Sequence, residues 1–412
     1  MKNFLTYMQD RGSVVDVSEG LSEVSGPVSA YLGFDPTGSS LHVGHLAGIL
    51  ALKKLSLFGH RVVALIGGAT GMIGDPSGKS TERVLLDKKT VEENTDSLKK
   101  ALQRFVPDIE IVDNFSWLGE MPLVDFLRDV AKHFRLGNML AKDSVKQRLR
   151  SDEGMSFTEF SYQLLQAYDF YHLFREKGIF LQIGGSDQWG NITAGIDFIR
   201  KNLAKKAHGF TYPLLTDSQG NKLGKTEKGA VWLDANKTSP YELYQYIYGL
   251  EDAEMPKVAK LLTLIENKEI EVLLLKLKEN PEQVKAYLSQ EVVRIVHGDA
   301  GVSSAMSITQ AMVPGRVSEF TEDSLSVLVD TGFGIEVSRI DIFGKKWADL
   351  LVHTGIATSK GEVRRLVDQK GLYINSRVLS SSEEVVSPED IVFSKYIVVS
   401  RGRKKRSVLV VI

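Results

Sequence analysis

Cysteine is absent from the 412 residues of this chain. Without thiols the chain forms no disulfide, offers no thiolate to a metal and has no cysteine nucleophile. The absence fits a protein that works in a reducing compartment. Any catalysis or ligand binding therefore depends on other side chains.

Long apolar stretches are also missing. No run approaches the roughly 20 residues that a membrane-spanning helix needs, and residues 1–5 lack the apolar stretch of a signal peptide. We therefore expect a cytoplasmic protein with no membrane partner. The sequence also has no internal repeat and no low-complexity segment.

Charge is nearly balanced overall, at a formal net charge of −1, but it is unevenly distributed. From Lys345 to Ile412 there are 13 Lys and Arg residues against 7 Asp and Glu residues. A basic tail on an acidic body favours a polyanionic partner, although a solvated lysine-rich surface would give the same composition.

Strand-like and helix-like patterns alternate between residues 28 and 220. The strand-like runs are Val28–Phe34, Val62–Gly67, Ile109–Asn114 and Phe180–Gly184; the helix-like runs are His45–Phe58, Val91–Phe105, Leu123–Ala131 and Phe157–Phe174. This alternation predicts an α/β domain built on a parallel sheet, which binds ligands at the carboxyl ends of its strands. Glycine-rich turns follow three of the strands, so we expect one crevice there.

Two histidines follow the first strand. After the turn Asp35–Ser40 a helical pattern begins, which places His42 and His45 in the first turn of a helix. Unpaired backbone N–H groups and the helix dipole favour a polyanion such as phosphate at this position, and Gly44 leaves room for a close approach. A zinc site would need a third ligand at a recognisable spacing, and none stands out.

The glycine-rich segment from Gly67 to Ser80 is not a P-loop. That motif needs four residues between its two glycines before Lys-Ser, whereas only three separate Gly74 from Gly78. Lys79 lies in this segment and Arg83 follows it, and solvated helix charge is an alternative interpretation of both.

Three polar residues share one face of the predicted helix that begins at Phe157. Tyr162, Gln166 and Asp169 lie at positions i, i+4 and i+7. A buried polar stripe needs hydrogen-bonding partners, and a bound amino acid can supply them. Further along, Ile183–Asn191 places two glycines and Asp187 at a strand end, a pattern that suits ribose binding.

A lysine motif, Lys222-Leu223-Gly224-Lys225-Thr226, completes the pattern. Alone, a Lys-x-x-Lys pair carries no information. Together with His42-x-Gly44-His45, it is the pair of motifs that marks class I aminoacyl-tRNA synthetases. Over nearly its whole length the chain resembles the bacterial and mitochondrial tyrosyl-tRNA synthetases.

This resemblance implies roles for specific residues. It assigns catalysis to His42, His45, Lys79, Arg83, Lys222, Lys225 and Thr226. It assigns tyrosine binding to Tyr31, Thr70, Asp75, Tyr162, Gln166, Asp169, Gln182 and Gln188. It assigns ATP binding to Gly33, Asp35, Thr37, Gly44, Gly185, Asp187 and again Lys225. ATP would enter as a substrate with Mg²⁺, without a protein metal site or a permanently bound cofactor.

The domain order also follows the resemblance. It implies a Rossmann-like catalytic domain at 1–220, the lysine loop with a helical anticodon-binding domain at 221–320, a linker at 321–344 and an S4-like α+β RNA-binding domain at 345–412. The capping box Ser239-Pro240-Tyr241-Glu242 marks a helix start in the second domain. The tail resembles an S4 domain in three segments: Ser359–Val367, the turn Tyr373–Asn375, and Arg401–Arg406 with its five cations.

The expected activity is tyrosine–tRNA ligation, with tRNA(Tyr), L-tyrosine and ATP as partners and a homodimer as the assembly. A tryptophanyl-tRNA ligase is the nearest alternative, and Asp169 opposite Tyr31 argues against it. An RNA-binding or splicing-assist protein on a synthetase scaffold is the other alternative. Such a protein would have lost catalysis, and the intact histidine and lysine motifs argue against that loss.

Overall fold

The structure, a computed structural model, describes residues 4–77, 85–150, 154–217, 220, 222–226, 229–311, 321–329, 333–375, 377–401 and 405–412. The chain forms two compact units. The first comprises Met1–Asp234 and Leu250–Leu288, and the second comprises Ala235–Gly249 and Ser289–Ile412.

A five-stranded parallel sheet forms the centre of the first unit. Its strands are β1 (Ser29–Phe34), β2 (Arg61–Ile66), β3 (Glu110–Asp113), β4 (Leu181–Gly185) and β5 (His208–Tyr212), in the order β3-β2-β1-β4-β5. Every neighbouring pair is parallel, which confirms the predicted α/β fold. The strand order reverses between β1 and β4, so this topology predicts a ligand crevice at their carboxyl ends.

The sheet is flanked by helices. They are α1 (Phe4–Asp10), α2 (Val43–Leu57), α3 (Lys88–Phe105), α4 (Phe115–Leu118), α5 (Leu123–Asp125), α6 (Leu136–Leu140), α7 (Asp143–Leu149), α8 (Phe157–Lys177) and α9 (Trp189–Leu203). The predicted helix Leu123–Ala131 is helical but changes type, because α5 continues as the π-helical turn Phe126–Val130 and the 3₁₀ turn Ala131–His133. Its apolar residues Leu123 and Val124 lie on the surface, so at these two positions the helix does not pack against the core.

Two short strands and further helices follow the sheet. They are β6 (Lys225–Thr226), β7 (Gly229–Ala230), α10 (Pro240–Gly249), α11 (Met255–Leu261), α12 (Asn267–Lys276) and α13 (Pro281–Ala311), which is kinked at Gly298. The predicted capping box before α10 is confirmed, because Ser239 N–H donates to Glu242 Oε2 (2.9 Å) and Glu242 N–H donates to Ser239 Oγ (3.2 Å). Within the described residues, no helix combines the length and apolar character needed to cross a bilayer.

A buried guanidinium fixes α1 to the rest of the first unit. Arg11 is 1% exposed, and it donates to the carbonyl oxygens of Lys260 (2.6 Å), Thr263 (2.6 Å) and Ile265 (2.5 Å). Lys54 of α2 donates to the same Lys260 carbonyl (3.4 Å), and burial holds its pKa well below the ordinary value. Lys260 lies in the last turn of α11, where the helix dipole places negative charge, and Thr263 and Ile265 lie just beyond the helix end.

A mixed sheet organises the C-terminal part of the second unit. Its strands are β8 (Gly334–Val337), β9 (Leu372–Ile374), β10 (Arg377–Val378), β11 (Tyr396–Arg401) and β12 (Lys405–Val411), in the order β10-β9-β11-β12-β8. Its helices are α14 (Glu322–Leu328), α15 (Arg339–Ile342), α16 (Trp347–His353) and α17 (Lys360–Asp368). The small α+β C-terminal fold is confirmed; its likeness to an S4 domain stays a prediction.

The segment predicted as a linker, 321–344, contains regular structure, including α14 and α15. It also contains the edge strand β8, which pairs in parallel with β12. Four residues give a weak strand pattern, and the pairing partner lies some seventy residues further along the chain. A short strand that depends on so distant a partner leaves little local signal in the sequence.

Candidate active site

A cavity of ≈ 350 Å³ opens at the carboxyl ends of the parallel strands. It collects all the predicted site residues whose side chains the structure describes, together with the predicted glycines: Tyr31, Gly33, Asp35, Thr37, His42, Gly44, His45, Thr70, Asp75, Tyr162, Gln166, Asp169, Gln182, Gly185, Asp187, Gln188 and Lys222. Lys79 and Arg83 lie outside the described residues, and of Lys225 and Thr226 only the backbone, as β6, is described. Residues distant in sequence therefore converge on one site.

One end of the cavity presents buried polar atoms that lack partners. Tyr31 on β1 is 0% exposed, and Gln182 is its register partner on β4. Within the described part of the chain, neither the Tyr31 hydroxyl nor Gln182 Oε1 has a hydrogen-bond partner. Buried polar atoms without partners are costly, so this end of the cavity is suited to hydrogen-bond a ligand.

Asp169 lies at the same end and is held by two donors. Asn114 Nδ2 donates to Asp169 Oδ2 (2.9 Å), and Trp117 Nε1 donates to Asp169 Oδ1 (2.8 Å). Burial raises the pKa of Asp169 to about 8, while these two hydrogen bonds act in the opposite direction. Sequence reasoning missed both donors, and the available signal was the position of Asn114 directly after β3.

Asp35 joins two residues that were expected to bind the amino acid. Thr70 Oγ1 donates to Asp35 Oδ1 (2.8 Å), and the Tyr162 hydroxyl donates to Asp35 Oδ2 (2.7 Å). Burial and the Asp35 charge raise the pKa of Tyr162, so the Tyr162 hydroxyl stays a donor. The structure thus places Asp35, expected to bind ATP, beside Thr70 and Tyr162.

A second carboxylate lies in the same cavity wall. Asp75 Oδ2 accepts from Gln188 Nε2 (2.6 Å), and Gln166 Oε1 accepts from Asn191 Nδ2 (3.0 Å). Carboxylate and amide oxygens facing one cavity favour a cationic group such as an ammonium. Asn191, which orients Gln166, was not predicted, because its position on α9 carries no motif.

The histidines cap α2 as the sequence predicted. Gly44 N–H donates to His42 Nδ1 (3.1 Å), and His42 N–H donates to His45 Nδ1 (3.1 Å), which forms a capping box. Because each Nδ1 accepts a backbone N–H, the proton of each neutral imidazole lies on Nε2. Both rings line the cavity, so they can present N–H donors to an anion there.

The lysine motif is joined to the histidine motif through the backbone. Val43 N–H donates to the Val231 carbonyl (2.9 Å), and Val231 N–H donates to the Gly224 carbonyl (2.9 Å). Gly224 has a φ of +91°, and a Cβ there would lie 3.0 Å from the nitrogen of Gly44. Only glycine suits both this conformation and this approach, so the two motifs pack backbone against backbone.

Asp187 lies where β4 ends, in the short 3₁₀ turn Ser186–Gln188. Its Oδ2 accepts from Lys222 Nζ of the lysine motif (3.0 Å). A Cβ on Gly185 would lie 2.8 Å from Asp187 Oδ1, so glycine leaves room for this carboxylate. A carboxylate at this strand end suits the hydroxyls of a sugar.

The pKa of Asp169 makes the stability of the ligand-free protein depend on pH. Its folded value of about 8 lies above the value near 3.9 of an unfolded chain, so the folded protein binds one more proton between these values. Stability contributed by Asp169 is therefore lost as pH rises through this window, at up to ~1.4 kcal/mol per pH unit. In Asp169→Asn the group does not titrate, and the free energy of unfolding of wild type relative to this variant should fall by roughly 2 kcal/mol between pH 5.5 and 7.5.

Urea unfolding at a series of pH values measures this difference. The surface variant Asp197→Asn is the control and should follow the wild-type profile. Parallel profiles for wild type and Asp169→Asn would contradict a raised pKa at this carboxyl.

Two models of known protein families match this chain. The family model described as "tRNA synthetases class I (W and Y)" matches residues 23–313. The model described as "Tyrosine--tRNA ligase SYY-like C-terminal domain" matches residues 331–409. The two matches together span the parallel-sheet unit and the C-terminal mixed sheet.

Individual relatives agree with these models. The chain is 44% identical to a tyrosine–tRNA ligase of Protochlamydia amoebophila, covering 99% of both chains, and 42% identical to that of Pectobacterium atrosepticum, covering 98% of this chain and 97% of the relative. A C-terminally truncated mitochondrial tyrosyl-tRNA synthetase of Aspergillus nidulans superposes with a TM-score of 0.66 at 31% identity, over 75% of this chain and 94% of that one. The chain therefore belongs to the tyrosyl-tRNA synthetases within the class I tRNA synthetase family.

Proposed function

We propose that this chain activates L-tyrosine with ATP and transfers the tyrosyl group to the 3′ end of tRNA(Tyr). The observation that carries the proposal is the buried Tyr31 hydroxyl, which lacks a protein partner in the described residues and shares its end of the cavity with Asp169. A phenol placed there would hydrogen-bond to both groups. Phenylalanine would leave the Tyr31 hydroxyl without a partner in a buried site and would add no hydrogen bond to Asp169, which disfavours its binding.

The remainder of the amino acid fits the adjoining wall. Asp75, Gln166 and Tyr162 would bind the substrate ammonium through their oxygen atoms, with Thr70, Gln182 and Gln188 completing the wall. Asp35 orients Tyr162 and Thr70 by accepting hydrogen bonds from their hydroxyls. The substrate carboxylate is then directed toward the histidine motif.

ATP would occupy the cavity between the histidine motif and Asp187. Asp187 would bind the ribose. The nucleotide would also contact Gly33, Thr37, Gly44 and Gly185. The nucleotide enters as its Mg²⁺ complex, with the metal held by the phosphates rather than by a protein site. A carboxylate oxygen of tyrosine attacks the α-phosphorus, the bond to the bridging oxygen breaks, and diphosphate leaves with that electron pair.

The second step releases AMP. A hydroxyl of the terminal tRNA ribose attacks the tyrosyl carbonyl carbon, the mixed anhydride bond breaks toward the phosphate, and the hydroxyl proton leaves to the phosphate or to water. No side chain needs to act as a covalent nucleophile. Catalysis is positioning together with stabilisation of the charge that grows on the phosphates.

Cations and N–H donors would supply that stabilisation. His42, His45 and Lys222 line the cavity, and their Nε2–H and ammonium groups would be the donors. The resemblance adds Lys79, Arg83, Lys225 and Thr226 as further phosphate ligands. Contacts that strengthen in the transition state accelerate the reaction more than contacts that already hold ATP.

The reaction class is tested by amino-acid-dependent exchange of diphosphate into ATP without tRNA. We expect exchange with tyrosine and only background exchange with phenylalanine or tryptophan. Exchange with tryptophan would preserve the chemistry and overturn the phenol assignment. No exchange with any of the three, from folded protein, would favour the RNA-binding alternative.

The histidine role is tested by His45→Ala. Loss of one transition-state donor should slow adenylate formation by about 10²-fold or more, while tyrosine affinity stays within about twofold. Single-turnover kinetics and equilibrium tyrosine binding separate the two effects. His353→Ala, an exposed histidine of α16, is the matched control and should behave as wild type. A tyrosine affinity that fell in step with the rate would contradict the proposed role.

We also propose that the chain works as a homodimer through an exposed apolar surface of the first unit. Large apolar side chains cluster along residues 123–157, with Leu123 71%, Val124 70%, Leu136 65% and Phe157 76% exposed. Apolar exposure of this kind marks an interaction surface, and a second copy of the chain is the partner that the family resemblance implies. The RNA-binding role of the tail, its S4-like character and a cytoplasmic location remain predictions.

Light scattering after size-exclusion chromatography tests the dimer. Wild type should have twice the mass of the chain, and the double variant Leu123→Asp/Val124→Asp should shift toward the monomer, because burying two carboxylates is costly. Leu275→Asp changes a similarly exposed leucine on α12 and should remain dimeric. A monomeric wild type, or a double variant that stays dimeric, would contradict this interface.

A further inference from the structure

Tyr212 ends β5 and lines the cavity, although no motif singled it out. Its register partner on β4 is Gly185, two residues before Asp187. The strand ends thus bring the Tyr212 side chain and the Asp187 carboxylate to the same part of the cavity. Burial and the Asp187 charge together raise the pKa of Tyr212, so its hydroxyl keeps its proton at neutral pH.

A glycine in α2 leaves space for the Tyr212 hydroxyl, and this glycine lowers the stability of the helix. Gly48 lies within α2, where a glycine lowers helix stability by about 1 kcal/mol relative to alanine. A Cβ on Gly48 would lie 2.5 Å from the Tyr212 hydroxyl oxygen and 2.7 Å from Leu32 Cδ2. Glycine at this position therefore admits the Tyr212 hydroxyl, which no other residue type could do without displacing it.

Tyr212 lines the cavity in which we propose that ATP binds. Its neighbour Asp187 can only accept hydrogen bonds when ionised. Tyr212 adds a group that both donates and accepts. A carboxylate beside a hydroxyl matches the vicinal hydroxyls of a ribose, each of which is also a donor and an acceptor.

We propose that Tyr212 is a specificity-determining residue whose hydroxyl hydrogen-bonds a ribose hydroxyl of ATP beside Asp187. The inference rests on the proposed function, since it assigns the ribose of the activating nucleotide to this end of the cavity. It extends the site to a strand, β5, that carries none of the predicted site residues. Gly48 and Tyr212 then act as a matched pair, in which the glycine makes room for the hydroxyl.

Tyr212→Phe removes the hydroxyl and keeps the ring. In tyrosine-dependent exchange, KM for ATP should rise about 5- to 10-fold, as expected for one lost hydrogen bond, while KM for tyrosine stays within about twofold. The preference for ATP over 2′-deoxyATP or 3′-deoxyATP should fall by a similar factor for the hydroxyl that Tyr212 contacts. Tyr171→Phe removes a hydroxyl of α8 outside the cavity and should change none of these values.

The outcomes separate this inference from the function on which it rests. Wild type without tyrosine-dependent exchange would overturn both. Wild-type exchange with an unchanged KM for ATP and unchanged deoxynucleotide preference in Tyr212→Phe would overturn the Tyr212 assignment alone. Equal losses for tyrosine and ATP would also overturn it, because they would mark Tyr212 as a structural residue.

The pairing with Gly48 gives an independent test. Gly48→Ala should raise KM for ATP by displacing the Tyr212 hydroxyl. In a Tyr212→Phe background the same alanine should have a smaller effect, because the closest contact, at 2.5 Å, is gone. Strictly additive effects in this double-mutant cycle would contradict the matched pair.

Discussion

A chain of buried hydrogen bonds centred on Asn114 holds the amino-acid end of the cavity in place. Asn114 is 0% exposed; it accepts from Ala69 N–H (2.8 Å) and donates to both Thr70 and Asp169. Thr70 in turn donates to Asp35. Each group's role as donor or acceptor is fixed by the next, so reversing one bond would disturb the others. A ligand therefore meets groups that are already oriented, and binding pays little to order them.

The phosphate end is ordered differently, through the main chain rather than through side chains. The segment 231–233 pairs with 41–43, and Gly224 packs against Gly44. These contacts set the spacing between the histidine and lysine motifs independently of the side chains that act on the phosphates. The amino-acid end thus obtains specificity from side-chain direction, whereas the phosphate end obtains its geometry from the backbone. This difference explains why the histidine and lysine motifs at the phosphate end contain glycines between their functional residues.

The sequence predicted those parts of the site that depend on local spacing. The start of α2 at the histidines and the shared face of Tyr162, Gln166 and Asp169 both follow from helical periodicity, and the structure has both. Asn114 and Tyr212 escaped prediction because their importance comes from strands that meet only in the folded sheet. The strand β8 shows the same limit because its pairing partner β12 is distant in sequence, and the π-helical turn that follows α5 is not encoded in the apolar spacing of 123–131. The remaining assignments came from resemblance to a family.

The burial of Arg11 has a consequence for how the chain is made. Apart from the nearby Tyr7 hydroxyl, its acceptors include carbonyls of residues 259–265, about 250 residues downstream, so the guanidinium lacks these partners until most of the first unit has left the ribosome. At roughly 5–20 residues per second this delay is on the order of 10–50 s. α1 is thus made well before the carbonyls that hold Arg11, and this part of its docking waits for α11 and the residues after it. Until those carbonyls are made, α1 can be held only by its other contacts, such as those of the buried Phe4 with His60 and Phe210.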